Sequence, residues 1–325
     1  MKAIVQDRYG PADVLELRDI DRPVLGEKDV LLRVHAAGVD PGVWHLMTGL
    51  PYLVRAMGFG IRAPKVPVRG RDLAGVVDAV GARVTGFRPG DEVYGTCESG
   101  SFAEYATAWE HRLAGKPEGL SFEHAAAVPI SGVTALQAVR DCGRVQPGHR
   151  VMVIGAAGGV GSFAVQIATS FGASVIGVCS TAKTDLVRSL GAEAVIDYTR
   201  DAIDRDAVGY DVVIDTAGNR RLSLLMRVLT PTGTLVLVGG EQAGGRMLAG
   251  FDRQLRAPLV SLFVRRRLRG LIANENADDL QTLTGMIGSG AVTPIIDRTY
   301  SLADAPEAIR YIADGHATGK VVVRI

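Results

Sequence analysis

The sequence predicts an α/β fold: a doubly wound parallel sheet in the middle of the chain, plus a β-rich domain. Three observations predict it. Val/Ile-rich runs alternate with helical spacing between about residues 150 and 240, and such continuous strands need helices on both faces. Short β-branched runs, broken by Gly and Pro, fill the first 121 residues. The glycine-rich stretch "GAAGGVG" (155–161) falls between the first central strand and a helix.

Composition sets the outer bounds. A chain of 325 residues is long enough for two domains. Hydrophobic residues make up 47% and charged residues 22%, ordinary values for a globular protein. The net charge of +1 argues against a broad nucleic-acid surface. Cys97, Cys142 and Cys179 lie far apart without CxxC spacing, which argues against a disulfide framework or a structural zinc. No apolar run reaches the roughly 20 residues of a membrane span, and the start shows no secretory signal. The expectation is a cytoplasmic protein.

The elements follow in order. "KAIVQD", "DVLLRVHAAGV", "LAGVVDAVG" and "DEVYG" read as strands. Leu50–Pro67 fits neither period and reads as an apolar loop over a cleft. Ser121 reads as the N-cap of a helix with Glu123 in its first turn. Strands are expected at Val151–Ile154, Ser174–Val178, Ala194–Ile196, Asp211–Ile214 and Thr234–Val238. Helices are expected at Gly159–Phe171 and Lys183–Leu190, each stopped by a glycine. "VRRRLRG" (264–270) reads as the wet face of a helix. After about residue 271, "PIIDRTYSL" and "GKVVVRI" read as strands around the helix "DAPEAIRYIADG". Residues 1–121 and 272–325 are assigned to one domain, and 122–271 to the other.

The glycine loop carries the first chemistry. In a G-x-G-x-x-G fingerprint the first glycine makes a tight turn, the second admits the pyrophosphate, and the third lets helix pack on strand. Ala156, Gly158 and Gly161 stand at those places. The N–H groups of Gly159, Val160 and Gly161 would face the pyrophosphate at the positive end of the helix. An NAD site places an acid about 20 residues on, to hold the ribose 2′-hydroxyl. Here "CSTAKTD" puts Ser180 at the strand tip, with Lys183 after it. A hydroxyl and an ammonium suit a 2′-phosphate, so the expected cofactor is NADPH. The plainer reading of Lys183 is a surface lysine.

The chain resembles the medium-chain dehydrogenase/reductase superfamily, and within it the zinc-free quinone oxidoreductase (zeta-crystallin-like) branch, close to reticulon-interacting-protein-like members. The resemblance is carried by "AAGVDPGVWHLMTG", "PVRGRDLAGVVDAVG", "FRPGDEVYG", "AAAVPISGVTALQAV", "GAAGGVGSFAVQIA", "LGAEAVIDY", "YDVVIDTAGN" and "GHATGKVVV". It implies a GroES-like catalytic domain from both chain ends, a central Rossmann domain, and cofactor and substrate in a cleft between them. It also implies cofactor contacts at Ala157, Gly159 and Val160, at Ser180, Lys183 and Tyr198, at Gly239, at Phe263 and Val264, and at His316 and Lys320. Thr134 would position the nicotinamide or cap a helix. Dimerisation is common in the family.

Two departures bear on chemistry. Zinc dehydrogenases carry a Cys ligand around residues 40–45 and "GHE" where this chain has Gly70-Arg71-Asp72. Arginine stays protonated and does not ligate zinc, so no metal is expected. Asp40 stands where the family often has an Asn near the nicotinamide ribose. A carboxylate there only accepts hydrogen bonds.

Without a Lewis acid, hydride transfer favours an acceptor that is already electrophilic. The expected function is NADPH-dependent reduction of a quinone or an α,β-unsaturated carbonyl. The rivals are a zinc-independent alcohol or aldehyde reductase, and an NADPH-binding protein with little turnover. Candidate proton donors are His45, Tyr52 and water. Leu53, Met57 and Phe59 would line a substrate pocket or a dimer contact.

Overall fold

The computed structural model describes residues 1–204, 209–238, 251–261, 263–315 and 317–325. The chain divides into two compact units. The first holds Met1–Val133, Glu275–Gly290 and Pro294–Ile325; the second holds Thr134–Asn274 and Ala291–Thr293.

The second unit is built on a six-stranded sheet. Across it the strands run Ala194–Asp197, Ser174–Cys179, Arg150–Ile154, Tyr210–Asp215, Leu229–Leu237 and Arg267–Gly270. Every neighbouring pair is parallel. Numbered by chain order within the unit, this is 3-2-1-4-5-6, the doubly wound order of a Rossmann sheet. Val151, Met152, Val153 and Ile154 of the central strand are wholly buried. Each such side chain contributes about 1.5–3 kcal/mol on leaving water. One face is covered by the helix Gly159–Ser170, whose Phe163, Ala164, Val165, Ile167 and Ala168 are buried.

"VRRRLRG" corrects the sequence reading. Arg267–Gly270 is an edge strand, not a helix face. Leu268 points into the core while Arg267 and Arg269 are exposed. That is period-two burial, and charged flanks are how edge strands avoid stray pairing.

The first unit contains a seven-stranded sheet in the order Ile296–Ser301, Lys320–Arg324, Asp29–Val39, Asp72–Val80, Glu92–Thr96 and Leu113–Gly115, with Tyr105–Trp109 also paired to Asp29–Val39. The chain ends meet here: Val321 to Arg324 run antiparallel to Val39 to Ala36. One core joins Ile4, Val39, Met47 and Phe102 to Ile309, Val321 and Val323. Residues 122–133, which helical spacing placed in the central domain, cluster with this unit. The cause is close packing on the sheet: a Cβ on Gly38 would meet the Ala126 carbonyl oxygen at 2.5 Å.

Two further elements depart from expectation. Leu50–Pro67 is not wholly loop; Tyr52–Val54 and Arg55–Phe59 form helical turns. They are tied down by the Tyr9 hydroxyl, which donates to Gly60 O at 2.6 Å, and by Arg55 Nε on Gly49 O at 2.9 Å. Ala277–Gly288 is a helix capped by Asn276, whose side chain accepts from Asp279 N. Among the described residues, no helix is long and apolar enough to cross a membrane.

Candidate functional site

The glycine loop leaves the first strand of the Rossmann sheet at its carboxyl end, beside the point where strand order reverses. Ligands of open α/β sheets bind at such switch points. The tight turn is made by Gly155, at φ 80°, rather than by position 156. Ala156 then packs fully buried. The fingerprint's first glycine is therefore displaced by one residue, not lost. Gly161 permits the close packing: a Cβ there would sit 2.0 Å from Gly155 O. Gly158 caps the helix without a side-chain hydrogen bond. The first-turn N–H groups of Gly159, Val160 and Gly161 thus have no side-chain acceptor from the cap, and Ala157 is buried beneath the loop. A pyrophosphate supplies the acceptors such a helix start needs.

Past the second strand, Ser180 and the turn Thr181–Lys183 mark the ribose end. Tyr198 follows the neighbouring strand and is 54% exposed, with the Arg220 guanidinium 5.7 Å from its ring centre. One group escaped the sequence reading. Strand pairing sets Asp197 opposite Cys179, next to this corner. The Thr181 and Thr199 hydroxyls donate to its carboxylate, which holds its pKa below the usual carboxylate value. Arg200 Nε lies 3.6 Å away. That negative charge is already engaged by hydroxyls and a guanidinium, while Ser180 and Lys183 remain the nearest sequence neighbours of the tip. Ser180 and Lys183 are the groups that would receive a 2′-phosphate here, with the ionised Asp197 a like charge near them. Phe263 is 87% exposed, and Val264 packs against the sheet core. Gly239 and His316 lie outside the described residues.

In the first unit, Asp40 caps the helix Pro41–Thr48: its Oδ1 accepts from Gly42 N at 2.7 Å. Its Oδ2 is buried without a hydrogen-bond partner. An orphaned buried acceptor suits a hydroxyl donor such as ribose. His45, on the same helix, is buried, and its Nδ1 donates to Leu50 O at 2.6 Å. Burial pushes its pKa down, against the pull of the Leu50 carbonyl and Asp40. Tyr52 is 43% exposed. Thr134 is buried in the helix Pro129–Gln137. Lys320 is buried as well; its Nζ donates to Ser131 Oγ at 3.0 Å and to Asp72 Oδ2 at 3.3 Å. Its ammonium is thus engaged inside the unit. Burial first, and Asp40 as well, push Asp72 up to about 7.

A cavity of about 360 Å³ opens in this unit. Val43 and Leu46 wall it from one side, and Gly70 and Arg71 from another. These are the two segments in which zinc relatives place metal ligands. Arg71 donates instead to Glu275 Oε2 at 2.6 Å, which also takes Arg112 Nη1 at 2.7 Å and Thr96 Oγ1 at 2.9 Å. Cys97, also in the wall, is buried, and its thiol is pushed up to about 12 by that burial. Neither His45 nor Tyr52 lines the cavity. Arg69, Glu98 and Glu275 were not read from the sequence. The repeat of arginine in "VRGRD" hinted at the first, but nothing in it told which arginine is buried.

A Rossmann unit with a glycine cradle, joined in one chain to a β unit made from both termini, defines a dehydrogenase or reductase of the two-domain type. The comparisons agree. Residues 26–137 match the alcohol dehydrogenase GroES-like domain, and 190–323 match the zinc-binding dehydrogenase model. The chain is 35% identical to NADPH-dependent alkenal/one oxidoreductase, chloroplastic, of Arabidopsis thaliana, over 99% of this chain and 79% of that protein. It is 30% identical to NAD(P)H oxidoreductase RTN4IP1, mitochondrial, of Mus musculus, over 100% and 89%. It superposes on the quinone oxidoreductase from Coxiella burnetii with a TM-score of 0.84, at 29% identity, covering 100% and 99%. The chain belongs to the medium-chain dehydrogenase/reductase superfamily, among its quinone and enone oxidoreductases.

Proposed function

We propose that the protein is an NADPH-dependent reductase of quinones or α,β-unsaturated carbonyls. The observation that carries the chemistry is Arg71. A guanidinium, bound to Glu275, occupies the place where zinc dehydrogenases have a histidine ligand. A permanently protonated group supplies no metal bond, and the Cys97 thiol is held in its protonated form by burial. A metal Lewis acid would help most with an unactivated alcohol or ketone oxygen. A quinone or enone needs none, because conjugation already makes one carbon electrophilic.

Gly158, Gly159 and Val160 would hold the pyrophosphate of NADPH, Ser180, Lys183 and Tyr198 its 2′-phosphate end, and Asp40 a ribose hydroxyl. Bound there, NADPH supplies the hydride. The chain's own residues orient the acceptor and exclude water. His45 enters with its Nδ1 proton committed to Leu50 O, so any proton it delivered would come from Nε2. Tyr52 and water are the other donors. The alkenal/one and quinone oxidoreductases among the relatives support the same reading.

The test is a panel: NADPH consumption with benzoquinone, methyl vinyl ketone and butanal, and NADP⁺ reduction with butanol. Benzoquinone or the enone should turn over at least tenfold faster than butanal. Faster turnover of butanal would replace this reading with an aldehyde reductase. Retention of NADPH with no turnover across the panel would replace it with a binding protein.

We also read the protein as a cytoplasmic homodimer. Three unpaired cysteines fit a reducing compartment. The exposed apolar side chains of Leu53, Met57 and Ile61 are a surface a second copy would cover. Light scattering and cell fractionation test both points.

A further inference from the structure

Arg69 lines the 360 Å³ cavity and is 95% buried by its 5% relative exposure. Its surroundings are unusual for a guanidinium. Nη2 donates to Val66 O, and Nε is buried with no partner. Among the described residues, no carboxylate lies within 4.0 Å of it. The other arginines of the wall are balanced. Arg71 and Arg112 share Glu275, and Arg112 also pairs with Glu98 at 3.3 Å. Lys65 adds a further, exposed cation at the rim. Burial lowers Arg69 to about 10, with only Tyr9 opposing, which leaves it cationic at neutral pH. A buried charge without a counter-ion is costly unless something pairs with it. A planar guanidinium with a free N–H matches a carboxylate.

We propose that Arg69 anchors a carboxylate on the acceptor, so that the preferred substrates are enones or quinones bearing an acid group. This rests on the reductase reading and narrows it. The rest of the wall agrees with a small conjugated acid. Leu46, Phe59, Val66 and Trp109 offer apolar surface for the unsaturated part. The volume lies near the lower end of the range for small-molecule sites, about 300–1,000 Å³. That favours a molecule of one or two rings, or a short chain, over a long isoprenoid tail.

The experiment compares β-acetylacrylate with its methyl ester, which carries the same enone without the charge. Levulinate, the saturated acid, is titrated in parallel as a ligand that cannot be reduced. The wild type is expected to show at least a tenfold lower KM for the acid. Arg69→Met should bring the acid-to-ester ratio of kcat/KM down about 10- to 100-fold, as loss of one charge-assisted hydrogen bond predicts. It should weaken levulinate binding by a similar factor. Arg69→Lys, which keeps charge but loses the planar fork, should fall between the two, and decides the matter if the Met variant does not fold. A wild type that treats acid and ester alike, or a ratio that neither variant changes, would overturn the proposal. If neither compound is reduced, the reductase reading fails on its own. Levulinate binding and its dependence on Arg69 then still decide whether the anion site exists.

Discussion

On the proposed reading, two residues would carry most of the cofactor preference, and both stand at the strand tip that the sequence marks. Ser180 follows the strand Ser174–Cys179, and Lys183 ends the turn after it. An aspartate at 180 would accept from a ribose hydroxyl and repel a phosphate. Lys183→Ala is therefore expected to raise the Kd for NADPH about tenfold, the value of one charge-assisted contact, with the Kd for NADH little changed. Ser180→Asp should reverse the preference. Fluorescence titration of both nucleotides reads each outcome, and equal losses for the two would show that the corner holds no phosphate. Asp197 was not legible as part of this corner. Its place there depends on parallel pairing of Ala194–Asp197 with Ser174–Cys179, a contact across chain-distant residues. Arg69 was hidden for a similar reason, since burial of one arginine in "VRGRD" depends on what packs around it.

At the scale of elements, local pattern and long-range packing divide the outcome. The strands and helices from 150 to 200 were legible because each has its own period and its own stop. The Ala277–Gly288 helix was not, although Asn276 and the acids Asp278 and Asp279 form a good start; Gly285, Gly288 and two threonines blur its apolar stripe. Arg267–Gly270 was misread because four residues are too few to separate periods of 2 and 3.6. Elements are also tied by buried charge. Asp72 begins one strand, accepts from Ile130 N at 3.0 Å, and meets Lys320 of another strand, with Asp40 as the nearby like charge. Its folded pKa, about 7, stands above the ordinary carboxylate value of 3.8. A carboxyl raised in this way contributes stability below the unfolded pKa and loses it as pH rises through the folded one. Lys320→Met removes the cation that restrains the rise, so the variant's folded pKa moves higher still. Below about pH 6 Asp72 is neutral in both proteins, and their stabilities should be close. Above about pH 7 the wild type gains its ion pair and the variant does not. The gap should then widen by roughly 1.4 kcal/mol per pH unit. Urea unfolding at both ends of the range measures it. A pH-independent difference would mean that Lys320 acts only through packing.

At the scale of the whole molecule, the chain's order and its architecture differ. The first unit takes its sheet from both termini, and the second is inserted between them. The resemblance made this legible. The β-type tail pointed the same way, and helical spacing put residues 122–133 with the central unit, whereas they group with the first. One consequence concerns linkage. A ligand that binds only the folded protein stabilises it by an amount set by its concentration relative to Kd, about 2.7 kcal/mol at one hundred times Kd. For a unit of about 150 residues this corresponds to roughly 5–10 °C in Tm. NADPH at that excess should produce such a shift, and NADH at equal concentration a smaller one. Hydrogen exchange should slow at 155–161 and 180–198, where the cradle and the ribose corner lie. Zinc and chelators should move neither Tm nor turnover, because Arg71 is fixed on Glu275 and Cys97 stays protonated. The two halves of this prediction separate cleanly. Loss of turnover on chelation, restored by zinc, would show that another set of side chains holds a catalytic metal. A Tm shift equal for both nucleotides would leave the chemistry untouched but remove Ser180 and Lys183 from the basis of cofactor choice.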